Sequence, residues 1–328
     1  MDTGTHVVMG IGLAGLATLD PVIIHDPFTA HAAMIGVISG SLVPDIDTVL
    51  KLKDNATYIR HHRGNTHSIP ATILWPILLT VLISHFSNSV SVFHLWLWTF
   101  FAVALHVFVD IFNAYGTQAL RPLNNRWIAL GIISIFDPFI FGLHILGFII
   151  WAIMGYPGYI FLCVYAVLFF YYLMRIWHHR RAKTIVRSKL PEVEDIFLSP
   201  TYRWTHYHLS AKSQKNFFVG EVKGKTIEII DVFDRKPLPK DPLFEVALHD
   251  QNIAAFLHFS PIYRWERESR EHFEEIRFID LRYLSNGHYP FAATVWITDD
   301  KKVISSFTGW VFSETKLKKK LTIASEDR

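Results

Sequence analysis

The chain has 328 residues, of which 51% are hydrophobic and 15% aromatic, with a mean hydropathy of +0.24 and a formal net charge of +3. So apolar a composition argues against an ordinary soluble protein and for membrane residence, while so small an excess of base argues against nucleic-acid binding. The lone Cys163 excludes an internal disulfide and a cysteine-rich zinc module.

Two physically different halves meet near Trp177. Residues 1–177 hold seven Lys or Arg, eight Asp and ten His, and the first glutamate of the chain is Glu192. Ionisable groups are expensive at membrane depth, so their recurrence there marks a functional site by default. Short aspartates suit ligation better than they suit solvated surface charge.

In chain order, residues 7–24 and 31–44 are rich in glycine and predict a closely packed helical pair. Residues 69–86, 90–112, 139–155 and 159–177 are apolar over roughly the length of a bilayer crossing. Basic residues crowd one set of connections: Lys51, Lys53, Arg60 and Arg63, then Arg121 and Arg126, then the run from Arg175 to Arg187. The opposite set, at 20–29, 84–89 and 155–158, has none. That asymmetry predicts a multi-pass membrane protein with its basic loops and C-terminal domain in the cytoplasm. Residues 127–138 read as an interfacial or re-entrant piece that returns Asp137 to the cytoplasmic rim. No basic leader with a cleavage site is visible, so His6 is expected to be retained.

Past a basic linker at 178–195, residues 196–328 change to short Val, Ile, Phe and Tyr-rich stretches at 216–222, 226–232, 275–283, 291–298 and 302–312. Turn signals separate them, among them Lys223-Gly224-Lys225, Ser285-Asn286-Gly287 and Asp299-Asp300. The expectation is an α + β chain: a multi-pass helical membrane domain at 1–177 followed by a small, mainly β cytoplasmic domain. That domain carries one helical piece near 250–259 and a solvated or headgroup-facing basic tail at Lys316 to Lys320. The hexapeptides Ser199 to Trp204 and Ser260 to Trp265 are alike, without establishing a repeat.

Four clusters carry the candidate chemistry. His106 and Asp110 stand four apart on a helical segment, so they share a face; they could bind one ion or simply join two helices. Asp45 and Asp47 follow Pro44, and two close carboxylates favour a shared proton or a cation, although Asp47 could instead cap the turn that follows. His62, Arg63 and His67 lie within six residues ahead of an apolar helix; imidazoles suit zinc and related metals, and Arg63 could grip a phosphate or carboxylate. Thr5-His6 would bring a fourth donor from the N-terminus.

This series, Thr5-His6, Pro44-Asp45-Ile46-Asp47, His62-Arg63-Gly64 with Thr66-His67-Ser68, and His106 through Asp110 followed by Gly116-Thr117, resembles that of the YdjM-like metal-dependent hydrolases. That family is also described as LexA-binding and inner membrane-associated. With Phe278-Ile279-Asp280-Leu281-Arg282-Tyr283 in its soluble part, the whole chain is most similar to the YfhP type. The resemblance implies a helical domain distantly similar to zinc-dependent phospholipase C and P1 nuclease. It implies His6, Asp45, His62, His67, His106 and Asp110 as ligands and Asp47 as ligand or general base. The phospholipase group also uses a glutamate, which this half lacks.

The expected function is hydrolysis of a phosphoester in a lipid or lipid-linked substrate at a divalent cation, zinc before manganese or magnesium. Asp47 or Asp137 would take the proton and Arg63 would stabilise phosphate charge. The alternative is a membrane-anchored regulator with a structural metal, whose β domain binds a cytoplasmic protein. Ion transport fits less well, because transport sites lie near the bilayer midplane and these clusters map to one rim.

Overall fold

The computed structural model describes residues 1–86, 89–285 and 287–326, so parts of the expected loop at 84–89 and of the turn at 285–287 lie outside the described residues. The chain forms two compact units. One comprises Met1–Asp47, His62–His179 and Pro200–Trp204; the other comprises Thr48–His61, Arg180–Ser199 and Thr205–Arg328.

The first unit contains α1 (Thr3–Ala17), α2 (Pro21–His25), α3 (Pro27–Gly40), α5 (Ile69–His85), α6 (Val92–Ile111), α7 (Pro138–Met154) and most of α8 (Pro157–Lys189). Helix α4 (Asn55–His61) falls in the second unit. Aspartates start many of these helices. Asp2, Asp20, Asp26 and Asp137 each accept a backbone amide in the first turn of α1, α2, α3 and α7, and Asp54 accepts the Thr57 amide at the start of α4. A following proline fixes φ for the first turn in three of these cases, Pro21, Pro27 and Pro138. Five of the eight aspartates expected to be ligand-like are therefore helix caps.

Helix α3 lies close to α6 because Gly36 permits it: a Cβ there would stand 2.5 Å from Thr99 Oγ1 and 2.8 Å from Leu95 Cδ1. Met9, Val109, Ile140, Phe161, Val164 and Leu168 form a shared apolar core. The stretch expected to be re-entrant instead runs back along the end of α6. The amides of Leu130, Gly131 and Ile132 donate to the carbonyls of Ile111, Asn113 and Phe112, which supplies partners to a helix end. Gly116 turns the chain there with φ +67, where a Cβ would collide with the Ile128 carbonyl at 2.2 Å.

Among the described residues, two helices, α6 and α8, are long and apolar enough to cross a membrane, or up to four spans if the bent pairs Pro27–Gly40 with Val43–Leu52 and Asn55–His67 with Ile69–His85 each count as one. Helix α7 is apolar but shorter. Helix α8 does not stop near Trp177; it continues to Lys189, so the basic stretch expected as a linker is largely helical. The basic side chains that end the apolar run are good helix formers, and nothing there breaks the turn.

The second unit holds two four-stranded antiparallel sheets, each in sequential order. The first is β1 (Val193–Pro200), β2 (His206–Ser213), β3 (Asn216–Lys223) and β4 (Thr226–Asp234). The second is β5 (Tyr263–Ser269), β6 (Glu274–Asp280), β7 (Phe291–Ile297) and β8 (Val303–Trp310). Strand β7 pairs with β6 through Phe278 opposite Ala293 and with β8 through Val295 opposite Ser306. Helices α9 (Pro242–His249) and α10 (Gln251–Phe259) bury Phe244, Ile253 and Phe256 against Ile276, Phe278 and Val295. The basic tail is a helix, α11 (Glu314–Glu326), docked by buried Leu317 and Leu321 and by Glu314 on Arg277. The two similar hexapeptides have different settings: Trp204 packs in the first unit on Phe139 and Tyr171, whereas Trp265 lies in β5.

Candidate metal centre

Helix α6 places His106 and Asp110 one turn apart, and both are buried. A 3-10 turn, Asn65–His67, brings His67 to the same point just before Ser68 caps α5. A second 3-10 segment, Val43–Leu52, supplies Asp45 and Asp47.

The hydrogen bonds of the imidazoles decide which nitrogen faces the cluster. His106 Nδ1 lies 2.7 Å from the Ser41 carbonyl, which can only accept, so Nδ1 carries the hydrogen and Nε2 the lone pair. Thr66 Oγ1 donates to Asp47 Oδ2 at 2.8 Å and accepts from His67 Nδ1 at 3.0 Å, which leaves the His67 lone pair on Nε2 as well. The two Nε2 atoms are 3.3 Å apart. Two lone pairs at that distance repel unless a positive centre lies between them.

Two carboxylate oxygens complete the group. His67 Nε2 lies 3.4 Å from Asp110 Oδ2 and 3.6 Å from Asp45 Oδ1, and His106 Nε2 lies 3.6 and 3.7 Å from the same atoms. Both oxygens are buried and accept no well-formed hydrogen bond from the described residues, although the Arg63 guanidinium lies 3.1 Å from Asp110 Oδ2. The ligand atoms of all four residues lie within 4.8 Å of one another. The five separations that involve an imidazole nitrogen are 3.3–3.7 Å, and a regular tetrahedron with edges of that length has its centre about 2.0–2.3 Å from each corner, the range of zinc bonds to imidazole and carboxylate. The donor set thus fits a small divalent cation in both chemistry and size.

Asp45 also belongs to a second possible cation-binding group with Asp47 and His62. Here both oxygens of Asp47 receive donors: His62 Nδ1 at 2.7 Å on Oδ1, and the Arg63 amide and Thr66 hydroxyl, each at 2.8 Å, on Oδ2. Asp47 consequently orients its neighbours.

Arg63, with φ +58, turns its guanidinium inward, 3.1 Å from Asp110 Oδ2 and 3.0 Å from the Met1 carbonyl. In this structure it balances a buried carboxylate, where the sequence suggested a grip on phosphate. His6 stacks on His106, with centroids 3.7 Å apart, and its Nε2 lies 3.4 Å from Asp110 Oδ1, on the other oxygen from the four-donor group. Asp137 is not among the converging residues: Oδ1 accepts the Phe139 and Ile140 amides, and Oδ2 accepts the Tyr171 hydroxyl at 2.8 Å.

Several participants were missed from sequence. The Met1 α-amino group lies against Asp110 Oδ1, 3.1 Å from His6 Nε2. Asn113 donates to Asp110 Oδ1 at 3.2 Å and, through its own Oδ1, accepts the Tyr115 and Gly116 amides. Thr66 and the Ser41 carbonyl orient the two imidazoles. Position three after Asp110 and one before His67 were the available signals for Asn113 and Thr66; a backbone carbonyl leaves none.

Residues 1–182 match the family described as YdjM inner membrane protein, and the chain belongs to that family. Its second half matches the YfhP middle domain over residues 191–233 and the YfhP C-terminal alpha/beta plait domain over residues 242–321. The chain is 52% identical over 326 residues to the uncharacterized protein YfhP of Bacillus subtilis (strain 168), covering 99% of this chain and 100% of that one. No solved structure matches it.

Proposed function

We propose that this is a multi-pass membrane hydrolase whose cation is held by Asp45, His67, His106 and Asp110, and whose substrate is a phosphoester in a lipid or lipid-linked molecule at the cytoplasmic face. The observation that carries the reading is the convergence of four donors within 4.8 Å of one another, with the lone pairs of both imidazoles turned inward. Two nitrogen donors favour zinc or manganese over magnesium, which prefers an all-oxygen shell. A divalent cation there would act as a Lewis acid towards a phosphoryl oxygen.

The chain's own groups divide the remaining work. The side chains of His67, His106 and Asp110 are 0% exposed, while Asp45 is 18% and His62 21% exposed, so a substrate would approach from the Asp45 and His62 side. His62, with Nδ1 held by Asp47, presents Nε2 as the ring atom able to carry a proton. Arg63 holds Asp110 in place through its guanidinium. The exposed apolar faces of α5, at Ile73, Leu74, Leu78 and Val81, and of α8, at Leu162, Phe169 and Phe170, suit a lipid environment from which such a substrate could diffuse.

Elemental analysis of the purified protein and of its His67→Ala and Asp110→Ala variants, with a panel of lipid phosphoesters, tests the reading. Stoichiometric zinc or manganese lost in both variants, with turnover lost in parallel, supports it; absence of metal from the parent overturns it. The burial of three of the four donors favours one competing reading, a regulator with a closed structural metal site. Metal without turnover on any phosphoester would select that alternative.

A further inference from the structure

The chain leaves the helical unit after Asp47 and re-enters it at His62, and residues 48–61 fold as part of the C-terminal unit. Ala56 is buried, and Ile59 packs against the core that contains Phe244, Phe256 and Phe278. Asn55 donates to the Thr308 carbonyl at 3.3 Å, and Gln251 donates at 3.3 Å to both Asp54 Oδ1 and Thr57 Oγ1. Strand β8 is shaped for this helix: Gly309 has φ +143, and a Cβ there would lie 3.2 Å from Asn55 Nδ2.

Both ends of the same loop are fastened at the candidate metal centre. Asp47 holds His62 through Oδ1 and the Arg63 amide through Oδ2, and through Thr66 it also holds His67. The loop therefore has a closed neck made of site residues and a tip built into another folded unit. With α4 docked, the loop is already ordered, and its neck closes without a further loss of chain entropy. With α4 released, closing the neck must also restrain the freed segment.

We infer that the C-terminal unit controls the metal centre through this loop: its hold on α4 sets the Asp47–His62 neck, and whatever loosens α4 weakens cation binding. The affinity part of this inference rests on the proposed metal centre; the coupling itself does not. The structure shows α4 docked, and a released α4 is the second arrangement that such coupling needs.

The test uses the full chain in detergent. Ile59→Ala is compared with the parent by hydrogen exchange and by zinc competition with a chromophoric chelator. Exchange at the Arg63 amide and through residues 64–67 is expected to rise about tenfold, and zinc affinity to fall about tenfold, the size typical of losing a group that orients a ligand. Residues 274–297 should exchange as in the parent, showing that the sheet stays folded. If the Ile59 variant does not fold, Asn55→Ala, which removes only the Thr308 hydrogen bond, replaces it. Parental protection at Arg63 in a variant whose α4 amides exchange faster overturns the inference. Asp110→Ala separates the two claims: zinc retained in that variant would remove the metal centre, while the Arg63 amide would still decide the coupling.

Discussion

His67 and His106 turn their Nε2 atoms towards each other at 3.3 Å, although 39 residues separate them and each ring is fixed from behind by a different partner, Thr66 Oγ1 and the Ser41 carbonyl. If this pair, with Asp45 and Asp110 around it, holds a cation as proposed, its affinity depends on groups that never touch that cation.

Thr66 supplies the most selective test. Thr66→Val keeps the shape but removes the hydroxyl between Asp47 and His67, and cation affinity should fall by about 10–100-fold. Thr66→Ser should restore most of it. Equal affinity in Val and Ser variants, measured by chelator competition, would show that Thr66 does not orient His67.

Asp110 faces a buried guanidinium as well as three imidazoles, those of His6, His67 and His106. Asp110→Ala should abolish cation binding and leave Arg63 buried without its carboxylate, costing about 3–5 kcal/mol of stability. Thermal unfolding in detergent with metal analysis reads both effects, and a variant as stable as the parent would discount the ion pair.

Asp137 is expected to behave in the opposite way. Asp137→Ala removes the cap of α7 and the partner of Tyr171, costing about 1–2 kcal/mol, while metal content stays at the parental level. Metal loss without loss of stability would return Asp137 to the site.

Close packing of α3 on α6 predicts that Gly36→Val is poorly tolerated, at about 1–3 kcal/mol, because the added Cβ meets Thr99 and Leu95. Gly142, with nothing within 4 Å of an added Cβ, provides the control: Gly142→Ala should leave the unfolding temperature unchanged or raise it.

In the C-terminal unit, burial holds the His208 pKa below its ordinary value against the opposing pull of Glu221. The unfolded chain then binds a proton more readily, so the contribution of His208 to stability is present above the unfolded pKa near 6.5 and is lost as pH falls below it. His208→Gln should flatten the stability profile between about pH 7 and 5. A profile identical to that of the parent would exclude His208 from it.

Much of this was readable in the residues, and the failures have a common cause. The strands at 216–223, 226–234, 291–297 and 303–310 follow β-branched and aromatic runs punctuated by turns, and the apolar helices follow composition. Strand β1, with Glu194 and Asp195, and strand β5, with Arg264, Glu266, Arg267 and Glu268, were missed because their charges are offset across the structure, as in Arg267 with Glu274. Donor type and spacing singled out Asp45, His67, His106 and Asp110 among the candidates, and the structure brings these four together. Asp137 was misplaced because an aspartate before proline looks the same whether it caps a helix or points at a cation. Nothing local announced that residues 48–61 would fold with a domain more than a hundred residues downstream, since that pairing exists only in the tertiary contacts of Asn55, Ile59 and Gln251.

On the proposed reading, the partial exposure of Asp45, beside three sealed companions, makes its side the doorway to the cation. An ion arriving from solution and a headgroup arriving from the bilayer would have to use it in turn, so a bound substrate should slow chelators from stripping the metal. The protein would then be hardest to deplete while it is at work.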